Sequence, residues 1–154
     1  MYSKISVKAY LLCVNNGRAL MQIGSSIESG KFYRLVGGHV EPFERSETAV
    51  RREIMEELHS GISDLKLVDV IENIFTYNRK RGHEIVFIYS GKLAKKSLYS
   101  RRVMERDEDG KKLKAYWVPL KELERMKDNV YPKGIYKHIL REIASEGAAR
   151  KALK

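Results

Sequence analysis

The feature that most constrains the fold is a short stretch with two opposed faces. Residues 46–59 repeat Val50, Ile54 and Leu58 at a spacing of four, and Glu53, Glu56 and Glu57 fall between them. Residues three and four apart share one face of a helix. The pattern therefore predicts a helix over about Glu47–His59, with Ser46 as its N-cap. Its apolar stripe faces a core, and its three carboxylates lie about 100° away and line a cleft. Carboxylates brought that close repel one another unless a cation joins them. An all-oxygen set of this kind suits Mg²⁺ or Mn²⁺ better than zinc.

Around this helix the chain reads as strands. Ile5–Val14 is apolar and β-branched, Asn15-Asn16-Gly17 is a turn signal, and Arg18–Ile23 returns. Gly24–Lys31 reads as a loop and Phe32–Val36 as a short strand ending at Gly37-Gly38. Leu65–Tyr77 and His83–Leu93 are two further strands joined by a turn over Asn78–Gly82. Residues 94–112 read as basic and irregular, and Lys114–Val118 as a last strand with Trp117 as a packing anchor. A short helix follows Pro119, Tyr131–Gly134 interrupts, and Ile135–Ala144 begins a C-terminal helix. Strands around a central helix imply α/β layers. The 154 residues suit a single domain, 1–154, with fraying expected beyond about Gly147.

Net charge is +10. Between Arg79 and Lys114 twelve Lys or Arg face five Asp or Glu, so a surface rim there either serves solubility or attracts polyanions. No nucleic-acid-binding signature accompanies the charge, so it does not choose between small phosphates and RNA. No apolar run reaches bilayer length and Met1–Lys8 has no signal-peptide centre, so the expectations are no membrane and a cytoplasmic location. Cys13, the sole cysteine, excludes an intrachain disulfide and reads as a core residue.

Gly38, Glu44, Arg52, Glu53, Ile54, Glu56 and Glu57 also resemble the Nudix box: Gly, five residues, Glu, seven residues, Arg-Glu-aliphatic, one residue, Glu-Glu, one residue, Gly-aliphatic. His59 and Ser60 depart from it, standing where the pattern has glycine and an aliphatic residue. Two physical accounts of His59 are open. It caps the helix in a left-handed conformation, or the helix runs on and Gly61 caps it, which is the favoured reading.

The resemblance implies an α/β/α sandwich with a mixed β-sheet and a hydrolase of pyrophosphate bonds. Its substrate would be a nucleoside diphosphate linked to another moiety, cleaved by water with Mg²⁺ or Mn²⁺. The rivals are a sanitising hydrolase of damaged nucleoside triphosphates, an RNA 5′-end or cap pyrophosphohydrolase (not favoured), and a non-catalytic nucleotide-binding module. The metal ligands would be Glu53, Glu56, Glu57 and the Gly38 carbonyl, with Glu53 as first candidate for general base. Later-loop alternatives for the base are Glu84 and the cluster from Glu105 to Asp109. Arg52, a cation, fixes a glutamate rotamer, and Glu44 either binds metal through water or holds Arg52. Weak candidates for substrate contact are His39, Tyr77 and Glu84; Tyr77 stands where the diadenosine-polyphosphate class carries a recognisable residue. The oligomeric state is open, a dimer included.

Overall fold

The computed structural model describes residues 4–108 and 111–153. In chain order these form β1 (Ser6–Leu12), β2 (Val14–Asn15), β3 (Arg18–Ser26), β4 (Gly30–His39), α1 (Ser46–Leu58), β5 (Ile62–Tyr77) and β6 (Lys80–Leu93). Then come β7 (Val103–Glu108), β8 (Lys111–Pro119), α2 (Leu120–Arg125), β9 (Val130–Tyr131) and α3 (Ile135–Ala152). The strand order is β5-β6-β1-β4-β3-β8-β7, with β2 beside β3 and β9 beside β4. The sheet is mixed: β1 runs parallel to β6 and β9 parallel to β4, while the other pairs are antiparallel.

Alternation along β1 explains the layers. Ala9 and Leu11 join Leu20 and Val36 against Val50, Ile54 and Leu58 of α1. Tyr10 and Leu12 join Met21, Leu35, Val86 and Ile88 against Leu123 of α2 and Ile135 and Ile139 of α3. Each such aliphatic side chain contributes about 1.5–3 kcal/mol on burial. The result is the α/β/α sandwich expected. Trp117 stacks on Tyr99 at 5.4 Å between ring centres and donates its indole N–H to the Leu98 carbonyl at 3.0 Å. Cys13 is fully buried, and burial pushes its thiol up to about 11.

Several boundaries differ from the sequence reading. Gly24–Lys31 is mostly strand: β3 continues to Ser26 and β4 starts at Gly30. The turn between them closes on Ser26, whose hydroxyl lies 2.8 Å from that of Ser29 and accepts the Ser29 N–H. Asn78 and Arg79 alone make the β5–β6 turn, with φ of 48° and 67°, the left-handed pair of a tight hairpin. Within residues 94–112, a 3₁₀ turn spans Lys96–Ser100 and β7 pairs with β8.

The ends of α1 are also corrected. Arg45 stands at the N-cap, and the Ser46 hydroxyl is 2.6 Å from the Tyr89 hydroxyl instead of capping the helix. At the C-terminus His59, not Gly61, takes the left-handed conformation, with φ 53° and its N–H donating to the Met55 carbonyl. A single left-handed residue suffices to stop a helix, and the His59 side chain is exposed there. Ser60 is then buried, yet satisfied: its hydroxyl donates to the Gly61 carbonyl and accepts the Lys95 N–H.

The C-terminal helix runs through Gly147 to Ala152. The Glu146 carboxylate accepts the N–H groups of Asn16 and Gly17, and Arg150 donates to the Asn16 side chain. Nearer its start, buried His138 lies 2.8 Å from Asp69 of β5. Among the described residues no helix is long and apolar enough to cross a membrane.

Candidate active site

Gly38 sits near the end of β4, opposite Ala9 of β1, with α1 packed over both strands. Its missing side chain has a definite use. A Cβ there would stand 2.5 and 2.6 Å from the two carboxylate oxygens of Glu53, so this glycine makes room for that glutamate. The loop from Val40 to Arg45 folds on itself, with the Glu41 N–H donating to the Glu44 carboxylate.

Arg52 is the hub. Its Nε donates to Glu44 Oε2 at 2.8 Å and its Nη2 to Glu44 Oε1 at 2.9 Å, a two-pronged contact. The same Nη2 donates to the His39 carbonyl at 2.9 Å, tying the helix to the end of β4. Nη1 donates to Glu53 at 3.1 Å and to Glu56 at 3.3 Å. The guanidinium pulls the Glu44 carboxyl down to about 2, and Glu44 in turn raises Arg52 further above its ordinary value. Of the two roles left open for Glu44, these contacts serve the second, holding Arg52.

Glu53, Glu56 and Glu57 share one face of α1, as the spacing requires, but their carboxylates do not meet at one point. Glu53 and Glu56 lean on Arg52, and among the described residues no three acidic, His or Cys side chains are gathered closely enough to hold a metal. The expected convergence is present in the backbone and not in these rotamers. The reason is electrostatic: the Arg52 guanidinium lies within hydrogen-bond reach of Glu53 and Glu56 and draws both carboxylates to itself.

Beside Gly38 lies a group that the sequence did not advertise. The Lys8 ammonium donates to His39 Nε2 at 2.9 Å and stands 4.0 Å from Glu84. Burial lowers the Lys8 value, Glu84 opposes that, and Glu53 is near enough to raise it slightly. His39 is thus a hydrogen-bonded residue at the end of a strand, its ring pushed down by burial and then by Lys8. His83 lies 3.8 Å from Glu72, away from this group.

A cleft of about 660 Å³ opens next to Lys8 and Glu84. Its inner end holds Tyr10, Arg34 and Glu84; its outer end holds Phe32, Tyr77 and Tyr131. Tyr10 is pushed up to about 12 by burial, opposed by Arg34. Arg34 shares one face of β4 with Val36, which packs on α1, and with Gly38, which Glu53 approaches, so the inner end of the cleft leads along β4 toward α1. Arg34 donates to Gln22 Oε1 at 2.6 Å, which leaves the Gln22 amide NH₂ as the group not committed to Arg34. Phe32 lies over Gly24, and Phe75 over Gly82, each ring filling the space of its cross-strand partner's absent side chain.

Of the residues singled out from sequence, Tyr77 and Glu84 line this cleft and His39 does not. Lys8, Gln22, Phe32, Arg34, Phe75, Tyr116 and Tyr131 were missed. The signal available was alternation: Asn73, Phe75 and Tyr77 are two apart on β5, as are Phe32 and Arg34 on β4. Lys114, at the end of the basic stretch, also lines the cleft. The side chains of Asp107 and Glu108, and all of Asp109, lie outside the described residues.

A family model described as the NUDIX domain matches residues 3–139. No curated protein sequence matches the chain. Among solved structures, the chain resembles a NUDIX hydrolase from Nitrosomonas europaea, with 18% identity, TM-score 0.62, and 94% of this chain and 90% of that one covered. It also resembles a MutT NUDIX hydrolase from Burkholderia pseudomallei, with 25% identity, TM-score 0.58, and coverage of 77% and 86%. A MutT protein from Methanosarcina mazei Go1 aligns at 19% identity and TM-score 0.58 over 96% and 98% of the two chains.

Proposed function

The chain belongs to the NUDIX family, whose reaction is hydrolysis of a pyrophosphate bond, and we propose that it cleaves a nucleoside diphosphate linked to another moiety. The observation that carries this reading is a cleft walled by aromatic rings whose floor strand, β4, runs from Phe32 and Arg34 to Gly38, where Glu53 of α1 approaches. Aromatic walls with a few polar groups suit a nucleobase and ribose. The acidic face then meets the phosphates.

The acidic face fits a hard divalent cation. The donors are all carboxylate oxygens, and Gly38 leaves Glu53 the space to turn. Glu53, Glu56 and Glu57, with the Gly38 carbonyl, would hold Mg²⁺ or Mn²⁺. Such an ion, when bound, screens phosphate charge and acidifies a coordinated water.

The remaining steps fall to side chains. Arg52 keeps Glu44 and the end of β4 fixed relative to α1 through its fork. Glu53 is the first candidate to take the proton of the attacking water; such a base contributes about 10²–10⁴-fold. Arg34 in the cleft wall and Lys8 beside Glu84 set positive charge at the inner end, where a diphosphate would lie.

The test is a panel of nucleoside diphosphate sugars, dinucleoside polyphosphates, nucleoside triphosphates and capped RNA, with Mg²⁺ or Mn²⁺ and with product identification. Cleavage of the first two classes between the phosphates is expected. Failure to cleave any pyrophosphate bond with either ion would refute the reading, and full activity in EDTA would refute the metal.

A further inference from the structure

The turns of two distant hairpins are fastened to each other at the outer end of the cleft. Glu28, in the β3–β4 turn, accepts the N–H of Asn78 at 2.9 Å and the N–H of Arg79 at 2.6 Å, one on each carboxylate oxygen. In return the Asn78 side-chain carbonyl accepts the N–H of Ile27 at 3.0 Å. The left-handed pair Asn78-Arg79 turns two successive amides toward one spot, which is a ready seat for an anion. The amide of Arg79, above all, holds the Glu28 carboxyl below its ordinary value.

Glu28 of this clasp and the residues beside the clasp form part of the wall of the cleft. Glu28 and Ser29 line it from the β3–β4 turn, and Thr76 and Tyr77 from the end of β5 that leads into the other turn. Between them stands Phe32, edge-on to Tyr77 at 6.2 Å and to Tyr131 at 5.6 Å. From this end β4 runs past Arg34 to Gly38, where Glu53 of α1 approaches, so a ligand with phosphates at the acidic face directs its nucleoside toward the clasp. At about 660 Å³ the cleft is in the range of small-molecule sites.

We propose that the Glu28 clasp is a specificity determinant: it forms an end wall that admits a single terminal nucleoside and excludes one that continues into a polynucleotide chain. This rests on the nucleotide reading of the cleft. A carboxylate seated on two backbone amides replaces water at both groups, so the wall is tied by the ladder of each hairpin and not by flexible side chains alone. An oligonucleotide bearing a 5′-diphosphate would have to run its 3′ side through the joined turns.

The test compares two probes on the full chain without hydrolysis. Calorimetry in EDTA-free buffer with Ca²⁺ measures binding of a nucleoside diphosphate, the tightest of the four common bases, and of the same nucleotide extended at its 3′-oxygen by two residues. Wild type should prefer the unextended probe by at least about tenfold. In Glu28→Ala the preference should shrink to under about threefold, with Glu28→Gln, which keeps one acceptor oxygen, between them. Amide hydrogen exchange at Asn78 and Arg79 should quicken in Glu28→Ala, showing that the turns have parted. Unchanged exchange there, or a preference that survives the faster exchange, would overturn the proposal. A wild type that binds both probes equally and cleaves nucleotides would overturn the clasp alone. A wild type that binds no nucleotide and cleaves none would overturn the clasp together with the nucleotide reading.

Discussion

Arg52 and Glu44 are joined by two parallel hydrogen bonds, 2.8 and 2.9 Å long, across eight residues of sequence. Lysine keeps the charge of arginine but has no rigid fork. Arg52→Lys should therefore fold and still attract the carboxylates, but lose the fixed geometry. Turnover at saturating metal should fall about 10–100-fold, the range for groups that orient a site from behind. The metal concentration giving half-maximal rate should move less. Steady-state kinetics at several Mg²⁺ concentrations decides, and wild-type turnover would show that the fork has no role.

The same pair makes stability depend on acid. Glu44 holds its proton only below about 2 in the folded protein, whereas an unfolded glutamate takes it up near about 4.3. As pH falls through that interval the unfolded chain binds protons first, so the native state loses stability. The contribution is fully present above about 4.3 and gone below about 2. Denaturant unfolding of metal-free wild type and Glu44→Gln should differ at pH 6 and converge as acid is added. Parallel curves down to the acid limit would refute the coupling.

Gly38→Ala tests the close approach of Glu53. The added methyl meets only the far end of that side chain, so the glutamate rotates away and the strand persists. Overpacking of this kind costs about 1–3 kcal/mol. The expected result is a folded protein with a lower melting temperature and a rate reduced by at least about tenfold, since Glu53 is both a proposed ligand and the proposed base. A variant with unchanged rate would separate Glu53 from the chemistry.

His59→Gly addresses the helix end. A non-glycine residue in the left-handed region costs about 1–2 kcal/mol, offset by the greater freedom glycine has when unfolded. A net gain of about 0.5–1 kcal/mol is expected, with no change in rate. His59→Val, β-branched at φ 53°, should lose stability instead. Chemical denaturation of the three proteins ranks them.

The acidic helix was legible because all its information is local. Val50, Ile54 and Leu58 are spaced by four, and any helix must then carry Glu53, Glu56 and Glu57 on a separate face. The cleft was not legible, because its walls come from β1, β3, β4, β5, β6, β8 and β9, and nothing local says which strands adjoin. Two glycines actively misled. Gly24 and Gly82 read as loop and turn signals, yet each lies within a strand opposite an aromatic ring, Phe32 and Phe75. The rings need that space, so the glycines seat two aromatic walls of the site and do not break the chain. His59 was misjudged for a related reason: a left-handed residue was expected to be the nearby glycine, whereas an exposed histidine can bear the cost.

The outermost strand on one side, β5, carries Leu67, Val70 and Ile74 exposed along a free edge. A long apolar edge invites copies of a protein to zip together backbone to backbone. Here the pairing of β5 with β6 slips twice, between Ser63 and Lys66 and between Leu67 and Asp69, and Lys66 and Glu72 lie on the same strand. Irregular spacing of amides deprives an incoming strand of a matching template, and charge penalises its approach. The two register slips at the start of β5 thus oppose the growth of a shared sheet between copies of the chain.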